Sequence, residues 1–292
     1  MRIFCGMARF SHQNNGYDGP DFIGIGPTKT GSSWLHHQLS LQENVRIPGK
    51  KEIHYLDRIE GLTPHSRALH RRRLLQYLKH QFKADVSPQW IYYASLHKAS
   101  VNNYKKLFLE SFEGVQGEFT PGYIKLSKKI IIELHIRYPK LKYIVGLRNP
   151  IDRAYSYTRM RYYAALKKGK VHDPKRYLER IQSNVLKEGN TIYNMLPKWL
   201  DIIPREQFFF YDFKQISERP EMLIKELGDS LGVTFTNHKA LNNVVNEGKE
   251  LELDKEFQIQ LHHKHSLGIQ HMIDCDILPD FHYLFKQWLN HG

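Results

Sequence analysis

Apolar positions along the chain follow two spacings that alternate. Short runs bounded by turn formers predict strands: Phe22-Ile23-Gly24-Ile25-Gly26, Ile53-His54-Tyr55-Leu56, Gln116 to Phe119, Lys142 to Leu147 and Gln207 to Tyr211. Between them the spacing shifts to three and four. Trp34, Leu35, Leu39 and Leu41 place a helix over Ser32 to Leu41, and Ile131, Leu134 and Ile136 place one over Ser127 to Tyr138. Further helices are expected at His65 to Phe82, Val101 to Phe112, Pro150 to Leu166, Thr191 to Leu200 and Pro220 to Leu231, with two more toward the C-terminus. Proline suits the first turn of the Pro150 helix, where an N–H would have no intrahelical partner. Strands alternating with helices predict an α/β fold, a mainly parallel central sheet with helices on both faces. With no repeat, linker or composition break, residues 21–292 read as one domain, preceded by a loose arm over 1–20.

Composition narrows the class. The 292 residues are 41% hydrophobic and 25% charged, enough to bury a core, which excludes a disordered chain. No apolar run approaches the ~18 residues of a membrane span, and no apolar core of a secretory signal follows the N-terminus, so a cytoplasmic protein is expected. Only Cys5 and Cys275 are present, which fits a reducing compartment. His36-His37 and His262-His263-x-His265 lack Cys or carboxylate partners at ligand spacing, so no metal is expected. Lys and Arg number 43 against 30 acidic residues, a formal charge of +13, which points to an anionic partner without saying which.

The first strand runs into Gly26-Pro27-Thr28-Lys29-Thr30-Gly31-Ser32-Ser33, two glycines at phosphate-loop spacing between a strand and a helix. Backbone N–H groups there, together with the positive end of the next helix, form an anion cradle, and the hydroxyls of Thr30, Ser32 and Ser33 are candidate further donors. The fold expected is therefore a P-loop-like three-layer sandwich. In nucleotide triphosphatases the lysine follows the second glycine; here Ser32 stands there and the lysine is Lys29, inside the loop. The strand Lys142 to Leu147 ends in Arg148, where a triphosphatase has the aspartate that holds Mg²⁺, so a magnesium nucleotide is disfavoured. Arg148 at the carboxyl end of a strand, with Ser156 two helical turns on, can hold a second phosphate or can be a structural ion pair.

Together, PTKTGSSWL and LRNPIDRAYS resemble the sulfotransferase family that uses 3′-phosphoadenosine 5′-phosphosulfate (PAPS). PTKTGSSWL is similar to that family's 5′-phosphosulfate loop, implying that Thr28, Lys29, Thr30, Gly31, Ser32, Ser33 and Trp34 bind the donor. LRNPIDRAYS is similar to its 3′-phosphate segment, implying the same of Arg148 and Ser156. Lys51-Glu52-Ile53-His54-Tyr55-Leu56-Asp57 is similar to the E-x-H-F-F-D segment of the carbohydrate branch, which includes the heparan sulfate N- and 3-O-sulfotransferases. Gly117 to Tyr123 is similar to its E-K-[ST]-P-x-Y segment. The resemblance spans about residues 21 to 235. It departs at Phe119, where the branch has a lysine, and over 237–275, where its C-terminal cysteine loop has no clear match.

The resemblance implies in-line sulfuryl transfer to a hydroxyl or amine of a small molecule or glycan, releasing adenosine 3′,5′-bisphosphate (PAP), without metal. Lys29 would stabilise the leaving phosphate and Glu52 would act as general base, with His54 as assistant or alternative base. An extended strand would put Glu52 and His54 on one face. Asp57 and Glu118 are candidates either to meet the acceptor or to brace a residue that does. Two readings differ in class: a P-loop kinase of small metabolites, and a nucleic-acid-binding protein using Arg71-Arg72-Arg73 and Lys167-Lys168-Gly169-Lys170. No helix-turn-helix, zinc-finger or RNP signature accompanies those basic runs, so nucleic acid is not the expected partner.

Overall fold

The computed structural model describes residues 19–49, 51–62, 75, 87–188, 191–238, 241 and 250–290. Its strands are β1 (Phe22–Gly26), β2 (Val45–Arg46), β3 (Val115–Phe119), β4 (Lys142–Leu147) and β5 (Phe208–Asp212). They form a sheet in the order β2-β3-β1-β4-β5, with every pairing parallel. The helices are α1 (Ser32–Ser40), α2 (Pro88–Ile91), α3 (Val101–Tyr104), α4 (Lys128–Arg137), α5 (Pro150–Leu166) and α6 (Pro174–Lys187). They continue with α7 (Ile192–Met195), α8 (Pro197–Leu200), α9 (Gln215–Glu218), α10 (Pro220–Leu231), α11 (Lys255–Asp274) and α12 (His282–Asn290).

Alternation along the strands divides the core. Ile23 and Ile25, Tyr143, Val145 and Leu147, and Phe208 and Phe210 face one layer, where they meet Ile131 and Leu134 of α4 and Trp199 of α8. Phe22, Phe119, Ile144 and Tyr211 face the other, against Trp34, Leu35 and Leu39 of α1 and Leu223, Ile224 and Leu227 of α10. A sheet buried on both faces needs such strands, which is why they read as nearly continuous apolar runs. A satellite cluster of Ile151, Ala154, Ile181, Val185, Phe257 and Leu261 joins α5, α6 and α11.

β1 leads through α1 to β2 on one side, whereas β4 leads to β5 on the other. Neighbouring strands whose connections diverge open a crevice at their carboxyl ends, here between β1 and β4. Gly26 and Leu147, the last residues of these strands, therefore bring the glycine loop and Arg148 to the same edge.

Several expectations need correction. Ile53 to Leu56 is not a strand: it is irregular chain entering a 3₁₀ turn at Leu56–Arg58. The N–H groups of Tyr55 and Leu56 go to the Tyr123 hydroxyl, at 2.9 and 3.3 Å, rather than to a strand. The helix expected over Val101 to Phe112 ends at Tyr104 and closes with a 3₁₀ turn to Leu107. Beyond it the Gln116 amide bonds both backbone groups of Leu109, which satisfies them outside a helix. Thr191 to Leu200 divides into α7 and α8 at Pro197, which cannot donate the helical hydrogen bond. The helix α6 lies outside the predicted elements, although Asp173-Pro174 at its start and the spacing of Tyr177, Ile181 and Val185 mark it. Of the basic runs, Lys167 to Lys170 is exposed at the end of α5; Arg71 to Arg73 and most of the His65 to Phe82 segment lie outside the described residues, as does most of the N-terminal arm. Among the described residues no helix is long and apolar enough to cross a membrane.

Gly24 has no room for a side chain, since a Cβ there would overlap the Phe119 ring. Gly24→Ala should destabilise the fold by ~1–3 kcal/mol, the usual cost of overpacking, and a urea midpoint that does not fall would contradict this packing.

Candidate active site

Gly26 ends β1 with φ 109°, and a Cβ there would overlap the Pro121 carbonyl, so glycine lets the loop start close against the chain that follows β3. Lys29 (φ 69°) and Gly31 (φ 91°) are both left-handed, which bends the loop into α1. Two bonds fix the bend, one within the loop and one from β5. The Thr30 hydroxyl donates to the Pro27 carbonyl at 2.8 Å, and the Tyr211 hydroxyl donates to the Thr30 carbonyl at 2.8 Å. Among the described residues, none accepts a hydrogen bond from the backbone N–H groups of Thr28 through Ser33. Those donors, at the N-terminus of α1, are suited to an anion.

Two loop residues depart from the expected roles. The Thr30 side chain turns inward and commits its proton to Pro27, so its hydroxyl is not an anion donor. Trp34 is 4% exposed, packed in the α1–α10 layer with its indole N–H on the Leu241 carbonyl at 3.1 Å, so it supports the helix from behind. Lys29, Thr28, Gly31 and Ser33 are half-buried at the crevice.

Arg148 enters from the end of β4. Its Nη1 donates to the Lys29 carbonyl at 2.9 Å, and its guanidinium lies 4.1 Å from the Phe213 ring centroid just past β5. Burial lowers its pKa, Asp152 opposes that, and Arg159 and Arg153 add to it. The Lys29 pKa is likewise lowered, first by burial and then by the charges of Arg148, Arg159 and Lys51. Ser156 is half-buried on α5, in a helix that begins with the Asn149 side chain capping the Ile151 N–H at 2.9 Å.

The segment with Glu52 and His54 reaches the same edge by another route. The Glu52 N–H donates to the Phe119 carbonyl at 2.9 Å, and Glu52 (φ 64°) and His54 (φ 56°) are both left-handed. For residues with side chains this costs ~1–3 kcal/mol each, so the surroundings must hold them. The extended-strand argument for placing Glu52 beside His54 fails, yet the two meet through these bends. Glu52 Oε2 lies 3.7 Å from His54 Nε2, and His54 Nδ1 lies 2.6 Å from Asp57 Oδ2. Lys51 Nζ stands 3.2 Å from Glu52 Oε1. The neighbouring His54 imidazole, opposed by burial and aided by Lys51, holds Glu52 down to about 2. Its side chain is 42% exposed, open to an incoming group.

Asp57 and Glu118 lie beneath this segment. Asp57 is buried under His54. Glu118 is 1% exposed and takes three hydroxyls: Tyr104 at 2.6 Å and Tyr123 at 2.7 Å on one oxygen, and Thr120 at 2.6 Å on the other. Burial pushes its pKa up against those three bonds. Since Tyr123 also holds the N–H groups of Tyr55 and Leu56, Glu118 anchors the chain that immediately follows His54. Sequence spacing does not single out Tyr211, Phe213 or Arg159. Tyr211 and Phe213 stand at and just beyond the carboxyl end of β5, and that position at the ligand-binding edge is the available signal.

A solved structure shares this architecture. A sulfotransferase from Alicyclobacillus acidocaldarius aligns with a TM-score of 0.56 at 19% identity, over 86% of this chain and 93% of that one. The sulfotransferase domain of the Synechococcus PCC 7002 olefin synthase aligns with a TM-score of 0.48 at 17% identity, over 84% and 94%. A search of curated protein sequences finds no significant match. The sulfotransferase domain profile matches residues 19–273, from before β1 almost to the end of α11. That span takes in the glycine loop, Glu52, Arg148 and the sheet that joins them, so the chain belongs to the sulfotransferase family and is a sulfotransferase enzyme.

Proposed function

We propose that this enzyme moves the sulfuryl group of PAPS to a hydroxyl or amine acceptor, with a carbohydrate as the first acceptor class to test, and releases PAP. The observation that carries the reading is the 2.9 Å bond from Arg148 to the Lys29 carbonyl. It unites two anion-binding segments 119 residues apart, as a donor with phosphates at both ends of its nucleoside requires. The residues fit such a donor: unclaimed N–H groups line the glycine loop, and the cations around it exceed the carboxylates that pair with them. The family's general donor is PAPS, which supplies a sulfuryl group on a phosphate leaving group.

Each residue then has a task. The N–H groups of residues 28–33 hold the 5′ end, and Arg148 with Ser156 holds the 3′-phosphate. Lys29 neutralises the charge that gathers on the leaving oxygen. Glu52 takes the acceptor proton as the acceptor's oxygen or nitrogen bonds to sulfur. A carboxylate held near 2 is ionised at neutral pH but retains a proton weakly. His54, fixed by Asp57 at 2.6 Å, stands next to it to share that proton. The acceptor meets Glu52 and His54, while Glu118 and Asp57 keep those two in place. The carbohydrate preference rests on the likeness of the Glu52 to Asp57 segment to the carbohydrate branch.

Lys29→Ala and Glu52→Gln should each lower turnover by ~10²-fold or more in a radiolabelled sulfate-transfer assay, and full activity would remove either from its role. Arg148→Ala should weaken PAP binding by ~10- to 100-fold in calorimetry, the worth of a hydrogen bond to a charged group. The depressed Glu52 stays ionised until pH falls toward 2, so kcat/KM should show no acid limb near 4.5. Replacing His54 with Ala removes the main cause of the depression, so an acid limb should then rise toward the ordinary glutamate value. An unmoved profile in that variant would dissociate Glu52 from His54.

A further inference from the structure

Arg148 is only partly available to a phosphate. One of its nitrogens is committed to the Lys29 carbonyl and its flat face rests on Phe213, while Ser156 carries no charge. A phosphate monoester bears nearly two negative charges at neutral pH, because its second pKa is about 6. The 3′-phosphate of the donor therefore needs another cation.

On α5, Asp152, Ser156 and Arg159 fall at i, i+4 and i+7, along one face. Arg159 lies ~4.5 Å beyond Ser156 along the axis, from a rise of about 1.5 Å per residue, and helical side chains lean back toward the N-terminus, where Ser156 and Arg148 stand. The Arg159 Nε is buried without a hydrogen-bond partner, and among the described residues none bonds or pairs with its guanidinium. Asp152, the carboxylate beside Arg148, is exposed and sits two turns from Arg159, with no ion pair between them. A buried, unpaired donor on a cation is costly unless an anion completes it.

We propose that Arg159 is a further donor-binding residue, its guanidinium closing on the nucleotide's 3′-phosphate beside Arg148 and Ser156; this rests on the PAPS reading given above. Independently of the helix geometry, its positive charge is felt at both Lys29 and Arg148. After burial and the nearer charges it contributes to lowering the pKa of Lys29 and of Arg148.

Calorimetry on the full chain with PAP, and with adenosine 5′-monophosphate, which lacks the 3′-phosphate, separates the outcomes. Arg159→Met should lose at least tenfold in affinity for PAP and little for the monophosphate, with Arg159→Lys recovering part of the loss. Melting temperatures of both variants, measured without nucleotide, should stay near that of the parent. An unchanged PAP affinity overturns the assignment, and so does an equal loss for both nucleotides, which would place Arg159 at the 5′ end. Failure of the parent chain itself to bind PAP would refute the PAPS reading instead, and this inference with it.

Discussion

One hydrogen bond, from the Arg148 guanidinium to the Lys29 carbonyl, holds the active site together. It crosses the crevice between the carboxyl ends of β1 and β4, where the connections of the sheet diverge. The glycine loop on one side includes a left-handed lysine, and a loop of that shape is kept only if its surroundings over-determine it. Arg148 from β4 and Tyr211 from β5 bond successive carbonyls of the loop, at Lys29 and Thr30. The sheet thus sets the loop's shape before any ligand arrives, and preorganised donors need no rearrangement as charge develops.

The same contact concentrates like charge. Burial and the charges of Arg148, Arg159 and Lys51 lower the Lys29 pKa, and burial with the charges of Arg159 and Arg153 lowers that of Arg148. A polyanion would relieve that repulsion on binding, which in the proposed reading favours a multiply charged donor. Opposite the loop the logic reverses. Glu52, His54 and Asp57 form a short chain of acid and imidazole, with the open end at Glu52 and the buried end at Asp57. In the proposed reaction the cations bind the donor and the anionic Glu52 receives the proton, and the chain folds the two groups against the same sheet edge.

Glu118 shows how deeply the acid and imidazole group is rooted. Its carboxylate is wholly buried, but three hydroxyls satisfy it, which is the condition for a buried acid to be tolerable. Through Tyr123 it holds the backbone at Tyr55 and Leu56, next to the left-handed His54. A residue that in sequence resembles part of a binding motif acts here as the foundation of the Glu52 to Asp57 segment.

Local spacing along the chain is enough to set the architecture and the two anchor points. The periodicity of β1, β4, α5 and α10 is local, and strand-edge glycine and arginine report their positions without help from distant residues. Glu52 and His54 are also marked, but by resemblance, and the strand expected through them does not form, because their conformation is imposed by Phe119, Tyr123 and Glu118 from another part of the chain. Which way each side chain faces follows instead from packing between elements. Thr30 and Trp34 turn inward, Glu118 is buried, and Arg159 is left with an unpartnered nitrogen. The reason is physical: spacing along a chain fixes which residues share an element, whereas burial and hydrogen-bond competition depend on contacts between elements far apart in sequence.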